Sequence, residues 1–441
     1  MKTLSELIKE LSSLPLGNVY KKEINGKTYY YHQYFLNNKR FSSIVKSEDL
    51  DNLIQQINKR KIIEKEIQLI RSKQKNIILS KSANELSGYL MCENHIVATF
   101  DKGNLISIDK KLAPLVVLRT HSIQEFLKLR TIDMSRTNAR ILKRVLNIHI
   151  DEDFKAALYS YALSISDNYW FKPKKSKIKY KDIEFKDDSY SDVSLKGDIS
   201  ISLYKSHLTP EITTLGSFEK GWRFISSEWW LYKSGTDKQL FAELLSYEFA
   251  KLISLKTATY EYDNGYIRSK NFADKSNFEP LASLLGDNDD YHFIFNTLIK
   301  ISEDIAKEYL KLSFFDAVIN NVDRHNENVG VMRNRKSGKI ISLAPNFDNN
   351  LAFYSNEEIT LTPPNKDGLI KTFISFLKTN KIAKELYLQI DFKDIHIEDI
   401  DKIITCIPIQ PKVSKTLSKE LIDRYYYLKD YFNNQDNWKV C

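Results

Sequence analysis

The 441 residues are 42% hydrophobic and 28% charged, with a net charge of +9, which excludes a disordered chain and allows two to four domains with sizeable cores. No apolar run approaches the roughly 20 residues that cross a bilayer, and Glu6 and Glu10 interrupt the first apolar positions, unlike a signal peptide. A cytoplasmic protein with no membrane partner is expected, and three scattered cysteines (Cys92, Cys406, Cys441) fit a reducing compartment.

Residues 1–75 read as an accessory module of three strands and a long helix. Strands are expected at Tyr20 to Ile24, Lys27 to Phe35 and Arg40 to Val45, with Asn25-Gly26 as a hairpin turn. Ser47, followed by Glu48 and Asp49, starts a helix to about Lys73. The module carries 15 basic against 8 acidic residues, which points to an acidic partner. Lys21, Lys22, Tyr29, Tyr30, Tyr31, His32, Tyr34 and Arg40 interleave charge with rings and can bind nucleic acid by phosphate contact and stacking. The reading preferred here is plainer: a sheet packs its tyrosines on the helix, and the charge follows from a Lys-rich, Gly-poor composition.

Residues 76–198 alternate short strands and helices. Asn94 to Phe100 pairs with Leu105 to Ile108, helices follow at 122–130, 136–146 and 153–163, and 172–188 reads as a surface connector. No catalytic constellation stands out. Asp167, Tyr169 and Trp170 read as a packed turn.

Residues 199–288 read as a nucleotide lobe. The loop Glu211 to Trp222 holds Gly216, Gly221, the hydroxyls of Thr213, Thr214 and Ser217, and Lys220. A strand then ends on Lys233, and a helix carries Glu243 in its first turn and a half. Loop N–H groups would cover phosphates, Lys233 would pair them, and Glu243 would hold Lys233. The hairpin turn Asn264-Gly265 closes the lobe.

Residues 289–441 read as a mostly helical lobe. A helix capped at Ser302 delivers an apolar run into Asn320-Asn321-Val322-Asp323-Arg324-His325-Asn326-Glu327-Asn328. Two strand-like runs follow, ending at Pro345, Phe347 and Asp348. Asp323, Asn328 and Asp348 are the set that phosphoryl transfer needs: a carboxylate to orient a hydroxyl, and an Asn and an Asp to hold Mg²⁺ against phosphates. His325 is expected to prop the loop through backbone bonds. Arg324 is left between neutralising Asp323 and a phosphate.

Asp323-Arg324-His325-x-x-Asn328 with Ala344-Pro345-Asn346-Phe347-Asp348 resembles the catalytic signature of HipA-like serine/threonine kinases, and Ile212 to Lys220 is similar to their Ser-x-x-Gly-x-x-x-Lys loop. The resemblance covers about residues 200–440 and extends in part to 90–195. It implies an α+β, two-lobed protein-kinase-like fold using ATP and Mg²⁺. Asp323 would be the catalytic base, Asn328 and Asp348 the metal ligands, Lys233 the nucleotide lysine and Glu243 its ion-pair partner. It further implies a protein substrate with a Ser or Thr hydroxyl (an aminoacyl-tRNA synthetase or other translation factor), a small antitoxin protein as partner, and autophosphorylation of the nucleotide loop. The position for the last is Thr213, with Thr214 adjacent, where the family pattern has Ser. Asp-Arg-His-x-x-Asn also occurs in phosphoinositide and related lipid kinases. Two alternatives therefore stand beside the protein kinase: a lipid or small-molecule kinase, and a nucleotide-binding pseudokinase acting through a nucleic-acid-binding N-terminal module.

Overall fold

The computed structural model describes Leu7, Glu10, Leu11 and residues 13–24, 26–36, 39–79, 86–133, 135–146, 148, 153–199, 208–214, 216, 218–353 and 358–432. Ser217 of the nucleotide loop lies outside the described residues. The fold is α+β, with four antiparallel sheets among the described residues and a helical C-terminal region.

The first sheet orders β1 (Asn18–Ile24), β2 (Lys27–Leu36) and β3 (Lys39–Val45) in sequence. Helix α1 (Ser47–Leu79) follows, longer than the expected stop near Lys73. Its Ile63 and Ile67 bury against Leu7 and Leu11 of the N-terminal segment, and Arg60 fastens that segment by donating to the carbonyls of Leu11 and Leu14. The sequence expects the sheet's tyrosines to pack on this helix, but none of them joins the cluster that its Ile63 and Ile67 form with Leu7 and Leu11, and they stay half-exposed or exposed.

The second sheet has the order β6 (Asn104–Ile108), β5 (His95–Asp101), β4 (Gly88–Cys92), β7 (Tyr169–Pro173). Strand β7 enters the tract read as a surface connector, because Tyr169, Trp170 and Phe171 are all buried. Asp167 at its entrance is ion-paired with Arg130 at 2.7 Å. Helix α2 (Thr137–Val145) packs with Ile132, Tyr190 and Val193 in a separate small core.

The third sheet has the order β10 (Tyr260–Asp263), β11 (Tyr266–Lys270), β9 (Glu228–Lys233), β8 (Lys220–Ile225). Asn264 and Gly265 turn β10 into β11 with φ of +49° and +87°, the positive pair that a two-residue hairpin requires. Helix α3 (Asp237–Leu252) starts at a capping box between Thr236 and Gln239. Its buried face (Leu240, Phe241, Leu245, Phe249) joins one continuous core with the helices of the C-terminal region.

In that region β12 (Ser276–Pro280), β13 (Gly330–Asn334) and β14 (Ile340–Leu343) form the fourth sheet. At the centre runs helix α4 (Glu303–Ile319), with Leu310, Phe314, Phe315 and Val318 fully buried. Burying each such side chain contributes about 1.5–3 kcal/mol. Asn320 ends α4 in the left-handed conformation, φ +54°. Arg424 then satisfies last-turn carbonyls, donating to Ala317 and Val318, while it pairs with Asp367. The loop after α4 thus leaves a helix end that is fixed from behind.

Candidate active site

The loop of residues 320–328 is organised by Arg324. Its guanidinium pairs with Asp316 through both carboxylate oxygens at 2.9 Å, and also donates to the carbonyls of Asn328 and Phe347 and to the side-chain oxygens of Asn346 and Asn349, each at 2.7 Å. Arg324 therefore makes no direct bond to Asp323 and acts on it only as a nearby charge. It bolts the 320–328 loop to the 346–349 turn. The signal in the sequence was Asp316: a lone carboxylate inside an apolar helix must find a buried partner. Asn321 completes the knot, donating to Asp316 and Asn349.

Asp323 is half-buried in this loop. The Asn328 side-chain amide donates to the Asp323 carbonyl at 3.1 Å and to its carboxylate at 3.4 Å. That orients Asn328 Oδ1 away as an acceptor. Desolvation is the largest influence on Asp323 and, with the negative charge of Asp348, lifts its carboxyl above the usual value against His325 and Arg324. A carboxylate so raised is a better proton acceptor. His325 is exposed, and its Nδ1 accepts from the Glu327 N–H at 3.2 Å, a backbone contact within the loop.

Across from this loop, Lys233 at the end of β9 is buried, and its Nζ pairs with Asp348 Oδ1 at 2.8 Å. Glu243 was expected to be its ion-pair partner. Instead Glu243 Oε1 and Oε2 accept the backbone N–H groups of Asp348 (3.1 Å) and Asn349 (2.8 Å), and its charge reaches Lys233 only at longer range. The reason is the turn itself. Asp348 adopts φ +60°, a sparsely populated conformation that needs external fixing, and Glu243 with Tyr260 OH supplies acceptors for its N–H. Burial works to lift the Asp348 carboxyl, but Lys233, Lys220 and Arg324 outweigh it and hold it well below the usual range. Burial likewise works to lower the Lys233 amine, and Asp348 and Glu243 overturn it, so the amine is raised.

Lys220 opens β8 on the same side. Desolvation pushes its amine down to about 7, against the attraction of Asp348 and helped by Lys233 and Arg136. Gly216 lies against it at φ +96°, and a Cβ at that position would run into Lys220 Nζ. The positive φ favours glycine here, and the missing Cβ leaves room for the Lys220 amine. Thr213 and Thr214 are buried. The Thr213 hydroxyl donates to the Leu163 carbonyl at 2.7 Å, and the Thr214 hydroxyl donates to the Pro210 carbonyl at 2.8 Å and accepts from Trp222 Nε1.

Arg136, just before α2, was not anticipated. It is fully buried and donates to the Thr214 carbonyl at 3.0 Å, while Glu219 accepts from the Asn138 N–H in the first turn of α2. The nucleotide-loop segment is thus held by a region in which the sequence shows no constellation, and no local pattern marks Arg136.

The candidate oxygen ligands form no closed cage. Among the described residues no group of three or more His, Cys, Asp or Glu gathers as a metal site. Asn328 Oδ1 and the Asp348 carboxylate are hard oxygen donors, the kind that hold Mg²⁺ when phosphates complete the shell. The buried amine of Lys220 beside Gly216 can take up a proton and so supply positive charge for a phosphate. The residues present fit Mg²⁺ and a nucleotide.

A sheet with one flanking helix, joined through a continuous core to a helical region that carries the Asp323 loop, is the HipA-like kinase fold. The structure is similar to HipA from the toxin–antitoxin system of Shewanella oneidensis MR-1, solved as a complex with HipB and operator DNA, at a TM-score of 0.50 and 13% identity, over 77% of this chain and 97% of that one. It also matches the proinflammatory kinase CtkA of Helicobacter pylori at a TM-score of 0.33 and 17% identity, over 48% of this chain and 90% of that one. No family model and no curated protein matches the sequence.

Proposed function

We propose that this protein is a Mg·ATP-dependent serine/threonine protein kinase of the HipA-like toxin type. The observation that carries the reading is the direct linkage of the two halves of the site: Lys233 on Asp348, Glu243 on the Asp348 turn, and Arg324 between that turn and the Asp323–Asn328 loop. Lys220 and Lys233 bind phosphate, and the Gly216 loop covers it. Asn328 and Asp348 would hold Mg²⁺, which when bound neutralises phosphate charge. Asp323 orients the substrate hydroxyl and takes its proton. The hydroxyl oxygen bonds to the γ-phosphorus, the bond from that phosphorus to the β,γ-bridging oxygen breaks, and ADP leaves.

The substrate is a protein, and translation factors including aminoacyl-tRNA synthetases are the expected class. A small antitoxin protein is the expected partner, supported by the HipB in the Shewanella complex. The setting is cytoplasmic; among the described residues no helix is long and apolar enough to cross a membrane. Thr213 and Thr214 are the self-modification candidates. Their hydroxyls are buried and bonded, so modification requires the loop to leave its seat. A phosphate of about two negative charges could not return to it.

The test is transfer of γ-labelled phosphate from Mg·ATP into a bacterial lysate and, separately, into a lipid extract, with products mapped by mass spectrometry. Label on Ser or Thr of proteins supports the reading. Label confined to lipid, or none at all, overturns it.

A further inference from the structure

The open face of the N-terminal sheet is unassigned by the kinase reading. Strand register places Tyr20, Tyr31 and Ile44 in one cross-strand row, with Lys22 opposite Tyr29 and Ile24 opposite Lys27. Directly opposed residues share a face, and alternate residues along a strand return to it. The same face therefore carries Gln33 and Arg40, and Arg40 donates to Gln33 Oε1 at 2.7 Å. Glu23 is the sole carboxylate of the three strands. It belongs to the opposite face, where it pairs with Lys21.

The face thus presents three tyrosines, three cations and no acid. It is open at Tyr20, 51% exposed, and Ile44, 63%, while Tyr29 and Tyr31 are half-exposed. Ile63 and Ile67 of helix α1 pack on Leu7 and Leu11, and none of these tyrosines joins that cluster.

We propose that this face binds single-stranded nucleic acid. Lys22, Lys27 and Arg40, on a face that carries no carboxylate of the three strands, complement a phosphate backbone, and the tyrosine rings supply stacking surfaces for bases. Tyr29 and Tyr31 rise from one strand about 6.8 Å apart, about twice the 3.4 Å rise per nucleotide of a duplex strand. An extended single strand can place successive bases on them, and a duplex, with its bases already stacked, cannot. An acidic peptide would satisfy the cations and leave the rings without partners.

The experiment uses the full chain and a fluorescein-labelled single strand of about 15 nucleotides, followed by anisotropy between about 50 and 200 mM salt. With three phosphate contacts, the logarithm of affinity should fall with the logarithm of salt at a slope of about −2. Lys22→Gln with Lys27→Gln should flatten that slope by about 1.4; both lysines are exposed, so loss of folding does not account for the change. Tyr29→Ala and Tyr31→Ala should each weaken binding by about 5- to 150-fold with the slope kept. No binding at the lowest salt, unchanged binding in the lysine variants, or tighter binding of a labelled polyglutamate peptide than of the strand would each overturn the assignment.

Discussion

Binding of Mg·ATP should draw a proton onto Lys220. Its buried amine is pushed down to about 7, so at pH 8 about one-tenth of the molecules carry the charge there. A phosphate beside the amine stabilises the ammonium and returns its pKa toward the ordinary value of about 10.4. Nearly all molecules are then protonated, and about 0.9 proton is taken up per nucleotide at pH 8. Titration calorimetry with a non-hydrolysable ATP analogue, in buffers of differing ionisation enthalpy, reads this number as a slope. Lys220→Met removes the titrating group, so the difference between the two proteins isolates it from protons gained or lost by the nucleotide. The sign for stability follows from the same shift. The folded-state pKa lies below the unfolded one, so the unfolded chain binds more protons between them, and this group's contribution to stability rises with pH from about 7 to about 10.4. Equal proton uptake by wild type and Lys220→Met would refute the reasoning.

Asp316→Ala strands the buried guanidinium of Arg324 and should cost about 3–5 kcal/mol in denaturant unfolding, with Asp316→Asn losing less because one hydrogen bond can re-form. Gly216→Ala places a methyl against Lys220 Nζ at a positive φ. It should cut nucleotide affinity by about tenfold or more, an effect of about 1–3 kcal/mol, while unfolding of the rest of the chain changes little; calorimetry alongside thermal melts checks both halves. Glu243→Gln puts one amide oxygen in place of the two carboxylate oxygens that accept from the Asp348 and Asn349 N–H groups, leaving Tyr260 OH as the other acceptor for Asp348. It should destabilise by about 1–3 kcal/mol and lower phosphate transfer more than nucleotide binding, as measured by comparing the two directly.

Local chemistry was readable from the sequence, and long-range contacts were not. Asn264-Gly265 announced its hairpin because both turn positions need positive φ. The end of α4 at Asn320 and the Asp323–Asn328 spacing sit within one short stretch, so they too were visible. The HipA-like fold followed from such motifs in order. What escaped depends on partners far away in the chain. Strand β7 pairs with β4, and β12 with β13, each across a long intervening stretch that holds several other elements. Arg324 looked like a site residue because its motif position is adjacent to Asp323, yet its bonds run to Asp316 and to the 346–349 turn. Glu243 was matched to Lys233 by order along the chain. The folded turn instead puts Asp348 between the two, a geometry no spacing encodes. Tyr29, Tyr30 and Tyr31 of β2 are consecutive and so supply rings to both faces of the sheet, and periodicity cannot name which face a helix covers.

The central proposal is that Asp323 serves the hydroxyl while Lys233, Asn328 and Asp348 serve the nucleotide. The most direct measurement compares wild type with Asp323→Ala for two quantities: affinity for Mg·ATP by calorimetry and phosphate transfer to protein by mass spectrometry. The expected result is binding within a few-fold of wild type and transfer reduced by about 100-fold or more. Transfer by Asp323→Ala at the wild-type rate would contradict it.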